Sequence, residues 1–356
     1  MQLPASTGHA ESAHRLSDRG LSDRERARRI SAVVRGAERQ LRRRYPILNR
    51  QDLLGSLIFV FAVVGFVSTT VLYIQGLIPA WACVVINALF ASLLHELEHD
   101  LIHYLYFRDR PWLHNAMMLG AWAFRGNTIN PWYRRRLHLL HHKDSGKHTD
   151  LEERLIGLGM RYGFLRLLST FDGLAGSLVR YRELSRIPAC HPMGLFLAGL
   201  PVMAFFWLIW YGWLLFHGAT FVVAMLGFTV EQPAWLALLV SILNTAVVVY
   251  ALPNILRQAS INIISSSMHY YDDVDGLMQQ TQVFNSWLLW PLQLFCCNFG
   301  GTHGIHHFVV SQPFYLRQMV ARPAHAAMKK YGVRFNDAGT FKRANRYSAA
   351  PGPSAR

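Results

Sequence analysis

Four apolar runs, each long enough to cross a bilayer, constrain this chain more than any other feature. They cover roughly 53–74, 76–94, 194–216 and 234–256. A helical span needs about 20 mostly apolar residues, because the hydrocarbon core offers the backbone no water to bond. The short turn Gln-Gly-Leu-Ile-Pro (75–79) joins the first two runs into a tight hairpin. The second pair is joined by 217–233, which contains His217, Glu231 and Pro233, and its apolar middle is expected to dip into the interface. A fifth run, Trp112–Phe124, is too short to span and reads as re-entrant or interfacial.

Charge sets the orientation. All 36 Lys and Arg fall in residues 1–52, 104–193 and 257–356; the two connecting loops carry none. The positive-inside rule then puts the N-terminus, the middle segment and the C-terminus on the cytosolic side, with an even number of spans. The net charge of +15 is read as this bias plus a basic surface facing anionic headgroups, not as a nucleic-acid site. Residues 1–45 are polar and Arg-rich and lack the pattern of a cleaved signal peptide, so the first apolar run is expected to stay in the membrane. Residues 1–40 read as a mobile basic arm, with an amphipathic helix over Arg26–Arg44 lying on lipid, and residues 345–356 as disordered. The four cysteines, Cys83, Cys190, Cys296 and Cys297, show no CxxC spacing. That excludes a zinc ribbon, an iron–sulfur domain and a disulfide framework.

Histidine supplies the chemistry. Three clusters read His95-Glu-Leu-Glu-His99, His138-Leu-Leu-His141-His142 and His303-Gly-Ile-His306-His307. Neutral imidazole is the commonest metal-ligating side chain. His95 and His99, four residues apart on a helix, share a face and can reach one ion. In each HxxHH the first two histidines share a face, and the third lies roughly 100° further round, free to turn to a second ion. The predicted topology puts all three clusters at the cytosolic ends of the spans, where they can converge. His269, shortly after the fourth run, makes a ninth candidate. His103 continues the face of the first cluster but is read as lying outside the ligand set. Many imidazoles without thiolate suit iron, zinc or copper, and nine nitrogen donors fit two metals with open positions better than one closed zinc site. Of the carboxylates after the second cluster (Asp144, Asp150, Glu152, Glu153), Asp150 is a candidate to hold a ligand imidazole in one tautomer.

An HxxxH at the end of one membrane hairpin, an HxxHH in the following segment and an HxxHH after a second hairpin resemble the membrane fatty acid desaturase superfamily, over roughly residues 50–320. The resemblance implies an all-α integral membrane protein: four transmembrane helices in two hairpins, with a helical cytosolic cap holding a di-metal site. It implies two iron ions, dioxygen as co-substrate and a fatty acid or fatty acyl substrate. The ligand set it carries over is His95, His99, His138, His141, His142, His269, His303, His306 and His307. The sequence departs from the acyl-CoA desaturases at Ser265, where an Asn is usual four residues before the histidine matching His269; the nearest is Asn262. The tail of the second cluster, Ser-Gly-Lys-His-Thr-Asp-Leu-Glu-Glu, departs as well.

The expected domains are a basic N-terminal arm (1–50), the desaturase-like membrane domain (51–320) and a C-terminal tail (321–356), in a bacterial inner membrane. Carbon–carbon desaturation is the first reading; decarboxylation of free fatty acids to terminal alkenes, and hydroxylation, are alternatives. A membrane metal-binding protein or transporter is the reading from outside enzymology. His191-Pro-Met-Gly is only a partial match to the His-Pro-Gly-Gly of a cytochrome b5 domain, and no nucleotide fingerprint appears. Electrons are therefore expected from a separate ferredoxin or reductase. Arg134–Arg136 or Lys143 are candidates to meet a carboxylate or CoA at the mouth of an apolar tunnel.

Overall fold

The structure, a computed structural model, describes residues 20–228 and 232–348. The expectations for residues 1–19, for Glu231 and its neighbours 229–230, and for 349–356 lie outside the described residues. Helices account for all the regular structure described; two isolated bridges, His269 with Thr281 and Val283 with Phe335, are the exceptions to helix and loop.

Four helices are long and apolar enough to cross a membrane. They are α2 (Gln51–Ile74), α3 (Ala80–Ile102), α10 (Val202–Met225) and a continuous 35-residue helix, Ala234–Met268. That last helix comprises α11 (Ala234–Ala246), a π-helical stretch (Val247–Ala251) and α12 (Leu252–Met268). The other helices used below are α1 (Asp23–Arg44), α4 (Pro111–Phe124), α5 (Pro131–Asp144), α6 (Leu151–Leu155), α7 (Phe164–Phe171), α8 (Gly173–Val179), α9 (Pro192–Gly199), α13 (Phe299–Phe308) and α14 (Phe314–Lys330).

The spans differ from their expected limits for local reasons. Residues 192–199 form a separate helix, because Pro201 has no N–H to continue it and Leu200, before a proline, is extended (ψ 141°). The third span therefore starts at Val202. The second and fourth spans run beyond their apolar windows, to Ile102 and Met268. Hydropathy misses these extensions because their residues are polar, yet every residue from Leu94 to Ile102 is buried. Half of the apolar window of α3 is buried, against 17% of that of α2 and 6% of that of α10. α3 is thus the central helix, packed by α2, α4, α5, α12 and α14.

Pro253 would leave the carbonyl four residues back, that of Val249, without its helical donor. Asn87 of α3 donates from Nδ2 to the Val249 oxygen at 3.0 Å. This bond across helices sits at the π stretch, where intrahelical bonding is irregular.

The apolar stripe of α1, expected to face lipid, packs on protein instead. Ser22 caps the helix, its Oγ accepting from the Glu25 N–H. Its apolar stripe, Ala27, Ile30 and Val34, is buried against Phe308, Val309 and the Val320, Ala324 and Met328 side of α14. α14 itself runs across residue 320. The start of the expected disordered tail is ordered: Asn345 is buried and donates from Nδ2 to the carbonyls of Ser266 and His269. Ile30→Ala should remove about 2–5 kcal/mol from this contact and lower the apparent Tm of the detergent-solubilised protein. An unchanged Tm would mean that α1 is undocked in solution.

Candidate metal centre

The histidines arrive from four directions. α3 brings His95 and His99. It ends at Ile102, and the chain then turns sharply, with Tyr104 at φ 55°. His103 is therefore a cap residue, not a further helical turn. α5 carries the second cluster. The long helix ends with His269 at its C-cap. α13 carries the third cluster, and all ten of its residues are buried. Gly300 permits this seating, since a Cβ there would come 2.4 Å from the Phe284 carbonyl oxygen.

The rings gather into two groups of four. His99, His103, His138 and His306 have ring nitrogens within 4.8 Å of one another, as do His141, His269, His303 and His307. In the first group the Nε2 atoms of His138 and His103 lie 3.0 Å apart, and those of His306 and His103 3.1 Å apart. His142 abuts this group, its Nε2 3.1 Å from that of His138 and 3.0 Å from that of His306. In the second, the Nε2 of His307 is 3.2 Å from that of His303 and 3.4 Å from that of His269. His95 stands outside both groups, its Nδ1 3.5 Å from an Arg257 Nη1 and its Nε2 without a hydrogen-bond partner. The structure thus brings together seven of the nine expected residues, sets His142 beside them and His95 apart. It also draws in His103, which sequence reasoning had left outside.

Second partners settle the tautomers. Asp150 Oδ2 lies 2.8 Å from His141 Nδ1, and Glu152 Oε2 2.7 Å from His138 Nδ1. Gln280 Oε1 lies 3.2 Å from His307 Nδ1, and the Ser265 carbonyl 2.9 Å from His269 Nδ1. Each acceptor holds the proton on Nδ1; in the neutral rings of His138, His269 and His307 this leaves a bare lone pair on Nε2. Asp150 thus takes the place expected of it, whereas Asp144 pairs with Lys147. Ser265, at the departure from the acyl-CoA pattern, donates from Oγ to Glu153 at 2.7 Å. Glu153 Oε2 in turn lies 3.4 Å from His269 Nδ1. Asn262 bonds the Thr170 carbonyl instead.

Burial keeps most of the rings neutral. It pushes His103 down to about 2 and His269 to about 3, and drives His138, His142, His303, His306 and His307 below the ordinary imidazole range. His141 is the exception: burial lowers it, but Asp150, with Glu152 and Glu153, carries it up to about 9. Unprotonated Nε2 atoms this close repel one another unless a cation lies between them. Ring nitrogens of His99, His303 and His306 are also buried without partners. The donor set therefore fits metal ions, one per group.

Buried ions surround the centre. Arg317 of α14 donates to Glu96 at 3.0 Å and to Asp100 at 3.2 Å. Glu98 is paired with Arg125 and, at 3.0 Å, with Arg134, which reaches Glu152 at 3.3 Å. Glu96, Glu98, Asp100, Arg125, Arg257 and Arg317 were not singled out from the sequence. The available signal was three acids inside the polar end of a membrane span, since ionisable groups there usually have a role. Arg134 is half-buried and paired, while Arg136 and Lys143 are exposed and do not line the cavity described next.

A cavity of about 390 Å³ opens onto His95, His99, His138, His141 and His303. Its far wall is apolar, with Leu174, Leu178, Phe196, Met203 and Trp207.

The chain belongs to the fatty acid desaturase family. The model of that family, described as fatty acid desaturase, matches residues 75–339 and so covers both histidine groups and all but the first span. A search of curated proteins returned no match. Membership makes this an integral membrane protein and, at the level of the family, a desaturase- or hydroxylase-like fatty acyl oxidase.

Two substitutions probe the centre. Asp150→Asn should weaken metal retention by about 10–100-fold, read as metal per protein after dialysis against a chelator. His103→Ala should lower metal content as His306→Ala does; wild-type content would return His103 to a supporting role.

Proposed function

We propose that the protein is an oxygen-dependent membrane di-iron oxidase that introduces a carbon–carbon double bond into a fatty acyl chain. The observation that carries this reading is the apolar cavity ending on the histidine groups in a chain of the desaturase family. On this reading α2–α3 and α10 with the 35-residue helix are two hairpins, and the intervening and C-terminal segments form a cytosolic cap. The site residues are His95, His99, His138, His141, His142, His269, His303, His306 and His307, with His103 added on its geometry. Two iron ions held there would supply dioxygen activation and removal of hydrogen from unactivated C–H bonds.

The chain's own residues do the rest. Leu174, Leu178, Phe196 and Trp207 bind alkyl surface by excluding water. Asp150, Glu152, Gln280 and Ser265 hold the Nδ1 protons and so keep each Nε2 pointed inward. Overall, a saturated –CH2–CH2– unit, dioxygen, two electrons and two protons become –CH=CH– and two waters.

A specific observation favours a second reading, oxidative decarboxylation of a free fatty acid to a terminal alkene. Arg125 and Arg257 are fully buried beside the histidine end of the cavity, and each has an Nε without a hydrogen-bond partner. Glu98 and Glu152 are shared among Arg125, Arg134 and His138, which leaves Arg257 without a carboxylate within salt-bridge distance among the described residues. A carboxylate seated there would be stabilised and would present the carbons next to it to the centre. From that carboxylate, dioxygen, two electrons and three protons then yield alkene, carbon dioxide and two waters. A transporter fits less well, because its ligands belong near the bilayer midplane, and these cluster at the polar ends of α3 and α12.

Expression in a bacterial host with a ferredoxin and its reductase, followed by mass spectrometry of lipids and headspace gas, separates new double bonds, hydroxyls and volatile alkenes. His306→Ala should abolish whichever product appears. Full activity of that variant would refute the site, and one equivalent of zinc with no product would favour a metal-binding role.

A further inference from the structure

The histidines have a second approach that the acyl cavity does not use. An opening lined by His103, Tyr104, Leu105, Arg108, Val310 and Ser311 shares no residue with that cavity. Of the eight imidazoles in the two groups, His103 is the one that is not buried. Its Nε2 lies 3.0 Å from that of His138 and 3.1 Å from that of His306. A molecule docked at this opening is thus separated from the centre by a single imidazole ring.

Arg108 lines the opening, and α1 runs past it. Ser31 donates from Oγ to the Phe308 carbonyl at 3.0 Å, and Gln312 donates to Glu38 at 2.9 Å. Arg42 donates to Gln51 at 3.1 Å, and Gln51 to the Leu105 carbonyl at 2.5 Å. These bonds stretch α1 along residues 308–312 and towards Leu105, beside the opening. Arg35 and Arg39, one helical turn apart, lie between the anchors and are exposed. Arg108 lines the opening and is exposed too. None of the three has a hydrogen bond or ion pair among the described residues. Of the acids nearby, Glu38 is held by Arg42 and Gln312, while Asp52, which accepts the Phe107 N–H, and the exposed Asp109 offset only part of the positive charge.

We propose that the His103 opening is the electron-entry port, and that Arg35, Arg39 and Arg108 dock an acidic one-electron carrier of the iron–sulfur class. The proposal rests on the oxidase reading above. Reduction of dioxygen to two waters takes four electrons: two come from the substrate, and two from two carrier molecules, each oxidised by one electron. Electron tunnelling falls off exponentially with distance, so the carrier gains most where least protein intervenes. Charge complementarity speeds and orients such encounters. A lipid surface is the weaker occupant, because the apolar stripe of α1 is buried against protein and offers lipid no anchor.

The test is the triple variant Arg35→Glu, Arg39→Glu, Arg108→Glu in the full-length, metal-loaded protein. Turnover is driven by a plant-type [2Fe–2S] ferredoxin of net negative charge with its reductase, and in parallel by reduced methyl viologen, a small cation that needs no docking surface. The variant should bind immobilised ferredoxin about tenfold or more weakly in the absence of turnover and lose a similar factor in kcat/KM for ferredoxin, and the fall of the wild-type rate with salt should flatten. Its yield with methyl viologen should stay at the wild-type level. Wild-type ferredoxin kinetics in the variant, or equal losses with both reductants, would overturn the port. A wild type that makes no product with either reductant would sink the oxidase reading and the port with it.

Discussion

The fold depends on one electrostatic constraint: imidazole nitrogens with bare lone pairs meet in a largely buried space. The Nδ1 atoms of His138, His141, His269 and His307 are held by Glu152, Asp150, Ser265 and Gln280. In the neutral rings of His138, His269 and His307 the Nε2 atoms then have no proton to offer a neighbour. Such an arrangement is repulsive on its own and becomes favourable around cations. The partners of the ligands therefore matter as much as the ligands. They convert rings that could each adopt two tautomers into a preorganised donor set.

A second layer of charge makes the first tolerable. α3 ends its span with His95, Glu96, Glu98, His99 and Asp100, all buried. Burying such acids unpaired costs several kcal/mol each. Arg317 answers Glu96 and Asp100, and Arg125 and Arg134 answer Glu98. These arginines come from α14, from the end of α4 and from α5, so the ion pairs also tie three distant parts of the chain to the central helix. The 35-residue helix makes a comparable link: Asn87 donates to the Val249 carbonyl in the π stretch before Pro253. The helix then runs on to deliver Ser265 and His269.

Much of this was legible in the sequence. Four apolar runs gave four candidate spans, and the charge distribution allowed all three histidine clusters to share one side. Asp150 was recognisable as a tautomer holder by its place after the second cluster. The limits of the spans were less legible. Hydropathy stops where polar residues begin, whereas Leu94–Ile102 and Leu252–Met268 stay helical because the protein itself buries and bonds them. The amphipathic stripe of α1 was visible, but lipid and a protein core look alike to such a stripe. α14 turned out to be its partner.

The sequence by itself determined the helical class, the apolar spans and the residue types that carry the chemistry, because hydropathy and imidazole spacing are local properties of the chain. Only the tertiary structure decided which imidazoles share a centre. His103 meets His138 and His306, which lie 35 and 203 residues away, while His95, on the same helix as His99, stands apart beside Arg257. Distances between side chains so far apart in the chain follow from how the helices pack, and no local pattern encodes them.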